Sequence, residues 1–179
     1  MHQSEPIFEQ STALYERHAP IVLAYLLRQL GSREDAEDIL LEVFTVALEK
    51  ETSLRQDERS QRAWLLAIAR NKVVDHYRRS GRLSRVPLAD VEESMYEAEE
   101  REPEQVLLRQ EAYRQLQAHT RKLPNLQQEI LQLRFGEGLR CAEIAQVIGR
   151  SERAARALLY RTLKKLRGIY DNEQAERGL

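Results

Sequence analysis

The stretch Ala63-Trp-Leu-Leu-Ala-Ile-Ala-Arg-Asn-Lys-Val-Val-Asp-His-Tyr-Arg-Arg-Ser-Gly-Arg82 changes character halfway along. Up to Ala69 every residue is apolar, so at helical pitch this half is greasy on all sides and belongs inside a bundle. From Arg70 onward it carries five Lys/Arg and one acid, with Val73, Val74 and Tyr77 left to hold one flank against a core. Asn71, Asp75, Arg78 and Arg82 recur at steps of four, three and four, which places them along one exposed stripe of a helix. Guanidinium and amide groups on a rigid rod suit phosphates and base edges. The competing reading is a solvated helix face whose arginines favour the C-terminal dipole.

Working outward, the 179 residues are 32% charged with only 7 Gly and 5 Pro, a composition that favours helices and fits one domain or two small ones. The net charge is −1, but the charges are segregated. Ile68 to Arg85 holds six Lys/Arg against one acid, Leu83 to Glu104 eight acids against two Arg, and Arg121 to Gly168 eleven Lys/Arg against four Glu. A basic, acidic, basic layout suits a chain that holds nucleic acid at two places. Cys141 is the only cysteine, which rules out an internal disulfide or a cysteine zinc cluster and fits a reducing cytoplasm. The longest apolar runs, Ile21 to Leu27 and Ala63 to Ala69, are seven residues each, against roughly 20 for a spanning helix. Met1 to Gln10 lacks the basic and apolar regions of a signal peptide, so no membrane insertion is expected.

In chain order, Ser11 to Leu30 has helical spacing through Leu14, Tyr15, Ile21, Val22, Tyr25, Leu26 and Leu30, with Pro20 expected to interrupt or kink it. Gly31-Ser32 breaks the chain, and Ser32 caps a helix to about Lys50 that buries Ala36, Ile39, Leu40, Val43, Phe44 and Ala47. Its outer edge is acidic, with Asp35, Asp38 and Glu42. Glu51 to Gln61 is polar and without period, a loop. After Arg82 the pattern dissolves around Pro87, Pro103 and a Glu-rich run, which reads as a linker. Helical spacing returns from Gln105 to Lys122.

Cys141 to Arg161 reads as a helix-turn-helix. A short helix with Ile144, Ala145 and Ile148 stops at Gly149, which accepts the left-handed backbone of a helix end, and Ser151 caps the next helix. That second helix buries Ala155, Leu158, Leu159 and Leu166 in some combination and shows Arg153, Arg156, Tyr160, Arg161 and Lys164 outward, a face suited to a major groove. A plain helical hairpin with a basic solvated face is the competing reading.

Three blocks in this order resemble the extracytoplasmic-function class of bacterial RNA polymerase sigma factors: Asp35-Ala36-Glu37-Asp38-Ile39-Leu40-Leu41-Glu42-Val43-Phe44, Arg62 to Asn71, and Leu123-Pro124 through Glu143-Ile144-Ala145 to Arg167. The resemblance implies an all-α protein of two small helical domains. These would be a region 2-like domain at 10–82, a flexible acidic linker at 83–104 and a region 4-like helix-turn-helix domain at 105–170, followed by a tail at 171–179. It implies that Asp35, Asp38, Leu41 and Glu42 face core polymerase, with Leu41 standing where the family usually shows Gln. Asn71, Asp75, Arg78 and Arg79, beside the Glu51 to Gln61 loop, would read and melt the −10 element. Arg134, Arg153, Arg156, Ala157, Tyr160 and Arg161 would contact the −35 element, although Ala157 often carries a hydroxyl in relatives and Ala155 is smaller than the usual branched residue. The implied partners are the polymerase clamp helices and flap, promoter DNA and an anti-sigma factor, with no cofactor and no metal. A helix-turn-helix regulator whose N-terminal bundle binds some other partner is the alternative. An enzyme is not expected: Asp75-His76 point about 100° apart on a helix, and the chain has no nucleophile motif, Gly-rich phosphate loop or metal-spaced histidines.

Overall fold

The structure, a computed structural model, describes residues 4–50, 57–80 and 114–177, with side chains over 11–50, 57–80 and 114–172. The expected linker at 83–104, Arg82, the Glu51–Gln56 part of the loop, and Gln105 to Tyr113 lie outside the described residues. Among those described the chain is helical, without strands. Helix α1 (Ser4–Leu30) is one helix with Pro20 inside it, so of the two expected effects, interruption or a kink, the interruption does not occur. Proline removes its own N–H from the ladder, but the buried Leu14, Ala19, Val22 and Tyr25 hold the segments on both sides of it to one core.

Helix α2 (Arg33–Leu48) begins where expected: the Ser32 hydroxyl accepts from the Asp35 N–H at 3.3 Å. Its buried residues are Ala36, Ile39, Leu40, Val43, Phe44 and Ala47, the predicted set. Tyr15 of α1 meets Phe44 edge-on with ring centroids 4.8 Å apart. Helix α3 (Glu58–Arg79) starts earlier than the polar composition suggested, because Asp57 caps it by accepting from the N–H groups of Arg59 and Ser60, both at 3.1 Å. Glu58 to Gln61 is therefore helix rather than loop.

Helix α4 is described over 114–121. Helix α5 (Asn125–Leu131) passes into a wide π-turn (Gln132–Gly136), then α6 (Cys141–Ile148) and α7 (Glu152–Arg177) follow. Gly149 ends α6 at φ 65°, and Ser151 Oγ accepts from the Ala154 N–H at 3.3 Å, as the helix-turn-helix reading requires. At the front of α6 the Glu143 carboxylate accepts from the Arg140 N–H at 2.6 Å. On α7 the inward residues are Ala155, fully buried Thr162 and, in part, Leu158, Leu159 and Leu166. Thr162 was not anticipated; its hydroxyl donates to the Leu158 carbonyl at 2.8 Å and so needs no outside partner.

The two helical modules do not stand apart. Helix α3 packs on α1 and α2 on one side and on α6 on another. One hydrophobic cluster runs from Leu14, Leu26, Val43, Leu65 and Leu66 through Ile130, Leu133, Leu139, Ile144 and Ile148. The all-round apolar half of α3 is thereby explained: Ala63, Leu65, Leu66 and Ala69 are fully buried because neighbours approach from more than one direction. Burying each leucine stabilises the fold by about 2 kcal/mol.

Candidate nucleic-acid and polymerase interfaces

The C-terminal half of α3 carries the first set of candidates. Asn71, Asp75, Arg78 and Arg79 are all exposed, and Val73 buries the opposite flank. Val74, expected to pack, is 44% exposed and belongs to the outer surface instead. Tyr77 anchors the helix by donating to the Gln29 carbonyl at 2.6 Å. Arg78 Nη1 lies 3.7 Å from Asp75 Oδ1, and Arg79 Nε donates to the Asp75 carbonyl at 3.4 Å. These residues line an open trough of about 600 Å³ with Glu42 and Lys72.

Lys72 was missed in the sequence, and it matters. Its Nζ donates to Glu42 Oε2 at 2.8 Å, holding the Glu42 carboxyl below its usual range and joining α2 to α3. The trough thus brings one residue expected to face polymerase against three expected to face the −10 element. Of the other α2 candidates, Asp38 is exposed, Leu41 is 60% exposed, and half-buried Asp35 has an oxygen 3.9 Å from His76 Nε2.

The second set divides. Arg153, Arg156, Ala157, Tyr160 and Arg161 fall at i, i+3, i+4, i+7 and i+8 of α7, and all are exposed, Tyr160 to 69%. Arg156 forms an ion pair with Glu152 one turn earlier. Arg134 sits instead in the π-turn, exposed, with Nη1 donating to the Leu139 carbonyl at 3.0 Å. The Arg134 guanidinium therefore also braces the approach to α6.

A third group was not foreseen and ties the modules together. Tyr25 Oη donates to Glu129 Oε1 at 2.8 Å, and Arg70 Nε to the same oxygen at 2.9 Å. Burial and the adjacent carboxylate push the Tyr25 phenol well above its usual range, so it remains a donor. Arg28 Nη2 donates to Glu137 Oε1 at 3.1 Å, and Arg62 Nη1 donates to the Glu137 carbonyl at 3.1 Å. With its amide oxygen turned toward Arg28, Gln132 accepts from Nη2 and Nε at 2.8 and 2.7 Å. Burial raises the Glu137 carboxyl above its ordinary value despite Arg28. One signal was present: Glu129 stands within the helical stripe of Leu126, Ile130 and Leu133, where a carboxylate needs a partner.

No group of three or more His, Cys, Asp or Glu that could hold a metal occurs among the described residues, and no described helix is long and apolar enough to cross a membrane.

An all-helical pair of modules, one ending in a basic-edged helix and the other a helix-turn-helix with an arginine-rich second helix, has the form of a nucleic-acid-binding protein. Residues 14–83 match Sigma-70 region 2, and residues 113–166 match Sigma-70, region 4. The chain is 36% identical over 155 residues to the ECF RNA polymerase sigma factor BldN of Streptomyces coelicolor, covering 86% of this chain and 57% of BldN. It is 30% identical over 161 residues to the ECF sigma factor SigL of Mycobacterium tuberculosis, covering 87% of this chain and 85% of SigL. The structure of an RsbN–BldN complex aligns with 28% identity and a TM-score of 0.33, over 89% of this chain and 90% of that one. This chain belongs to the sigma-70 family, in its ECF class of RNA polymerase sigma factors. It spans 57% of the length of BldN.

Proposed function

We propose that this chain binds core RNA polymerase, recognises −10 and −35 promoter elements and opens DNA for transcription initiation. The observation that carries the reading is the presence of region 2 and region 4 matches in one chain, each containing a helix with an exposed face bearing arginines. Asp35, Asp38, Leu41 and Glu42 on α2 would meet the polymerase clamp. Asn71, Asp75, Arg78 and Arg79 would hold the −10 strand, and Arg134, Arg153, Arg156, Ala157, Tyr160 and Arg161 the −35 duplex. The domain limits 10–82 and 105–170, joined by 83–104, follow the same reading. Unstacking a base costs a few kcal/mol, which capture of the strand along the open trough bearing Lys72, Arg78 and Arg79 offsets, so no hydrolysis is needed and no enzymatic activity is proposed. The protein would work in the cytoplasm and, like many of its class, be held by an anti-sigma partner; BldN occurs in a complex with RsbN.

The test is transcription in vitro with purified core polymerase and genomic fragments. Promoter-specific transcripts that require this chain support the reading. Specific duplex binding without any core-dependent initiation favours a helix-turn-helix regulator.

A further inference from the structure

Two carboxylates of α2 face bases of α3. Glu42 accepts from Lys72 Nζ at 2.8 Å, and Asp35 Oδ2 lies 3.9 Å from His76 Nε2. Lys72 and His76, four positions apart, share one side of α3, while Asp35 and Glu42, seven apart, share one side of α2. The acids belong to the face assigned to polymerase. The bases sit beside Asn71, Asp75, Arg78 and Arg79, the stripe assigned to the −10 strand. One seam between two helices therefore joins surfaces meant for different partners.

The Glu42–Lys72 pair is close yet open to water, with the two side chains 42% and 30% exposed. An ion pair this exposed is weak and exchanges its partners readily. It also cancels what each member offers to a visitor: a phosphate approaching Lys72 meets the Glu42 carboxylate, and a cation approaching Glu42 meets the Lys72 ammonium. Lys72, Arg78 and Arg79 face Glu42 and Asp75 in the trough, so three cations stand against two carboxylates and the net charge is +1. Arg78 is itself engaged, with Nη1 3.7 Å from Asp75 Oδ1. Withdrawing Glu42 alone takes the trough to +2 and leaves the Lys72 ammonium unpaired at its wall.

We propose that Glu42 and Lys72 are exchangeable counter-ions: a basic group of the polymerase clamp that takes Glu42 releases Lys72 to a backbone phosphate of the −10 strand, and a strand that takes Lys72 releases Glu42 to the clamp. The identity of the two partners rests on the polymerase reading above; the ion pair and its effect on a bound strand do not. Clamp contact and strand contact then reinforce each other through two side chains, with no movement of either helix. Linkage makes the effect reciprocal, so polymerase tightens strand binding by the same factor as the strand tightens polymerase binding. The exposure of the pair keeps that factor to about two- to fivefold. Asp35 and His76 extend the same seam one turn further along α3.

The experiment uses the full chain unaltered, with Glu42→Gln, with Lys72→Met and with both. Fluorescence anisotropy of a short labelled oligothymidine strand, repeated over a range of salt, is the first measurement. Glu42→Gln should tighten binding about two- to fivefold and steepen the salt slope by about 0.7, the contribution of one phosphate contact on a single strand. Lys72→Met should weaken binding, and in that background Glu42→Gln should change affinity and slope far less. Equal tightening in both backgrounds is a general charge effect and overturns the exchange, as does a strand affinity indifferent to Lys72→Met or too weak to measure in every variant. Affinity for core polymerase is the second measurement. Lys72→Met should bind core about two- to fivefold more tightly than the unaltered protein, and Glu42→Gln more weakly. Core binding that Lys72→Met leaves unchanged overturns the exchange while the polymerase reading stands. A strand series that behaves as expected in a chain that never binds core supports the hold of Glu42 on Lys72 and overturns the polymerase reading instead.

Discussion

Lys72 Nζ lies 2.8 Å from Glu42 Oε2, so the acidic edge of α2 and the basic edge of α3 meet in one trough. The pair is partly exposed, and exposed pairs contribute about 0–1 kcal/mol. Lys72→Met is therefore expected to change the urea midpoint little while raising the Glu42 carboxyl toward its usual value. Since that carboxyl is depressed in the folded protein, what the pair contributes is present above the unfolded value and is lost as pH falls through the folded one. Carboxyl-carbon NMR titration of Glu42 in both proteins checks the shift; an unchanged titration would show that Lys72 is not its cause.

Arg156→Gln and Arg161→Gln are each expected to weaken −35 duplex binding by about 1–3 kcal/mol if they read a base, or to lower the salt slope by about one if they hold a phosphate. In the free protein one guanidinium nitrogen of Arg156 is paired with Glu152. Asp38→Asn and Glu42→Gln should weaken association with core and leave the duplex titration unchanged. Fluorescence anisotropy on duplex and on core separates the two roles; identical defects in both assays would refute the division.

Tyr25→Phe removes one donor from a buried carboxylate while keeping the ring. The expected destabilisation is about 1–3 kcal/mol by urea denaturation. In a double-mutant cycle with Glu129→Gln the two changes should be coupled, because the atoms are in contact. Strict additivity would mean that the hydrogen bond contributes nothing.

His18 is fully buried, with Nε2 3.3 Å from Gln61 Oε1. Burial lowers its pKa, so the unfolded chain takes up a proton at a pH where the folded chain does not. Stability is then complete above about 6.5 and declines as pH falls from there through the folded value. Burial of Glu137 works in the opposite sense, with stability lost as pH rises through its raised value. Comparing wild type with His18→Gln isolates the histidine: urea midpoints between pH 7.5 and 5 should fall less in the variant, and parallel slopes would count against it.

Gly149→Ala should destabilise the second module by about 1–2 kcal/mol. An added Cβ meets nothing within 4 Å, so the cost comes from the backbone at φ +65°. Gly149→Asn should lose less, since asparagine tolerates that conformation. Thermal denaturation of the three proteins checks the order.

Local devices were legible in the chain. The Ser32 cap, the inward face of α2 residue by residue, the Gly149 stop, the Ser151 cap and the outward face of α7 each follow from neighbours within a turn or two. Errors arose where a longer range decided. Pro20 is carried through a helix by packing, and Val74 faces outward while Val73 takes the core side. The start of α3 at Glu58 is a local miss instead, since the Asp57 cap lies within three residues of the groups it serves.

What sequence alone determined, then, is the pair of helical modules and the identity of their exposed basic faces, because helix periodicity and capping act over a few residues. Only tertiary structure decided that Tyr25 meets Glu129 across 104 positions, that Arg28 meets Glu137, and that α6 covers the remaining side of α3. A buried carboxylate announces that it needs a donor but not which one. The choice is made by the shape in which two apolar surfaces close on each other, and local spacing carries no record of that shape.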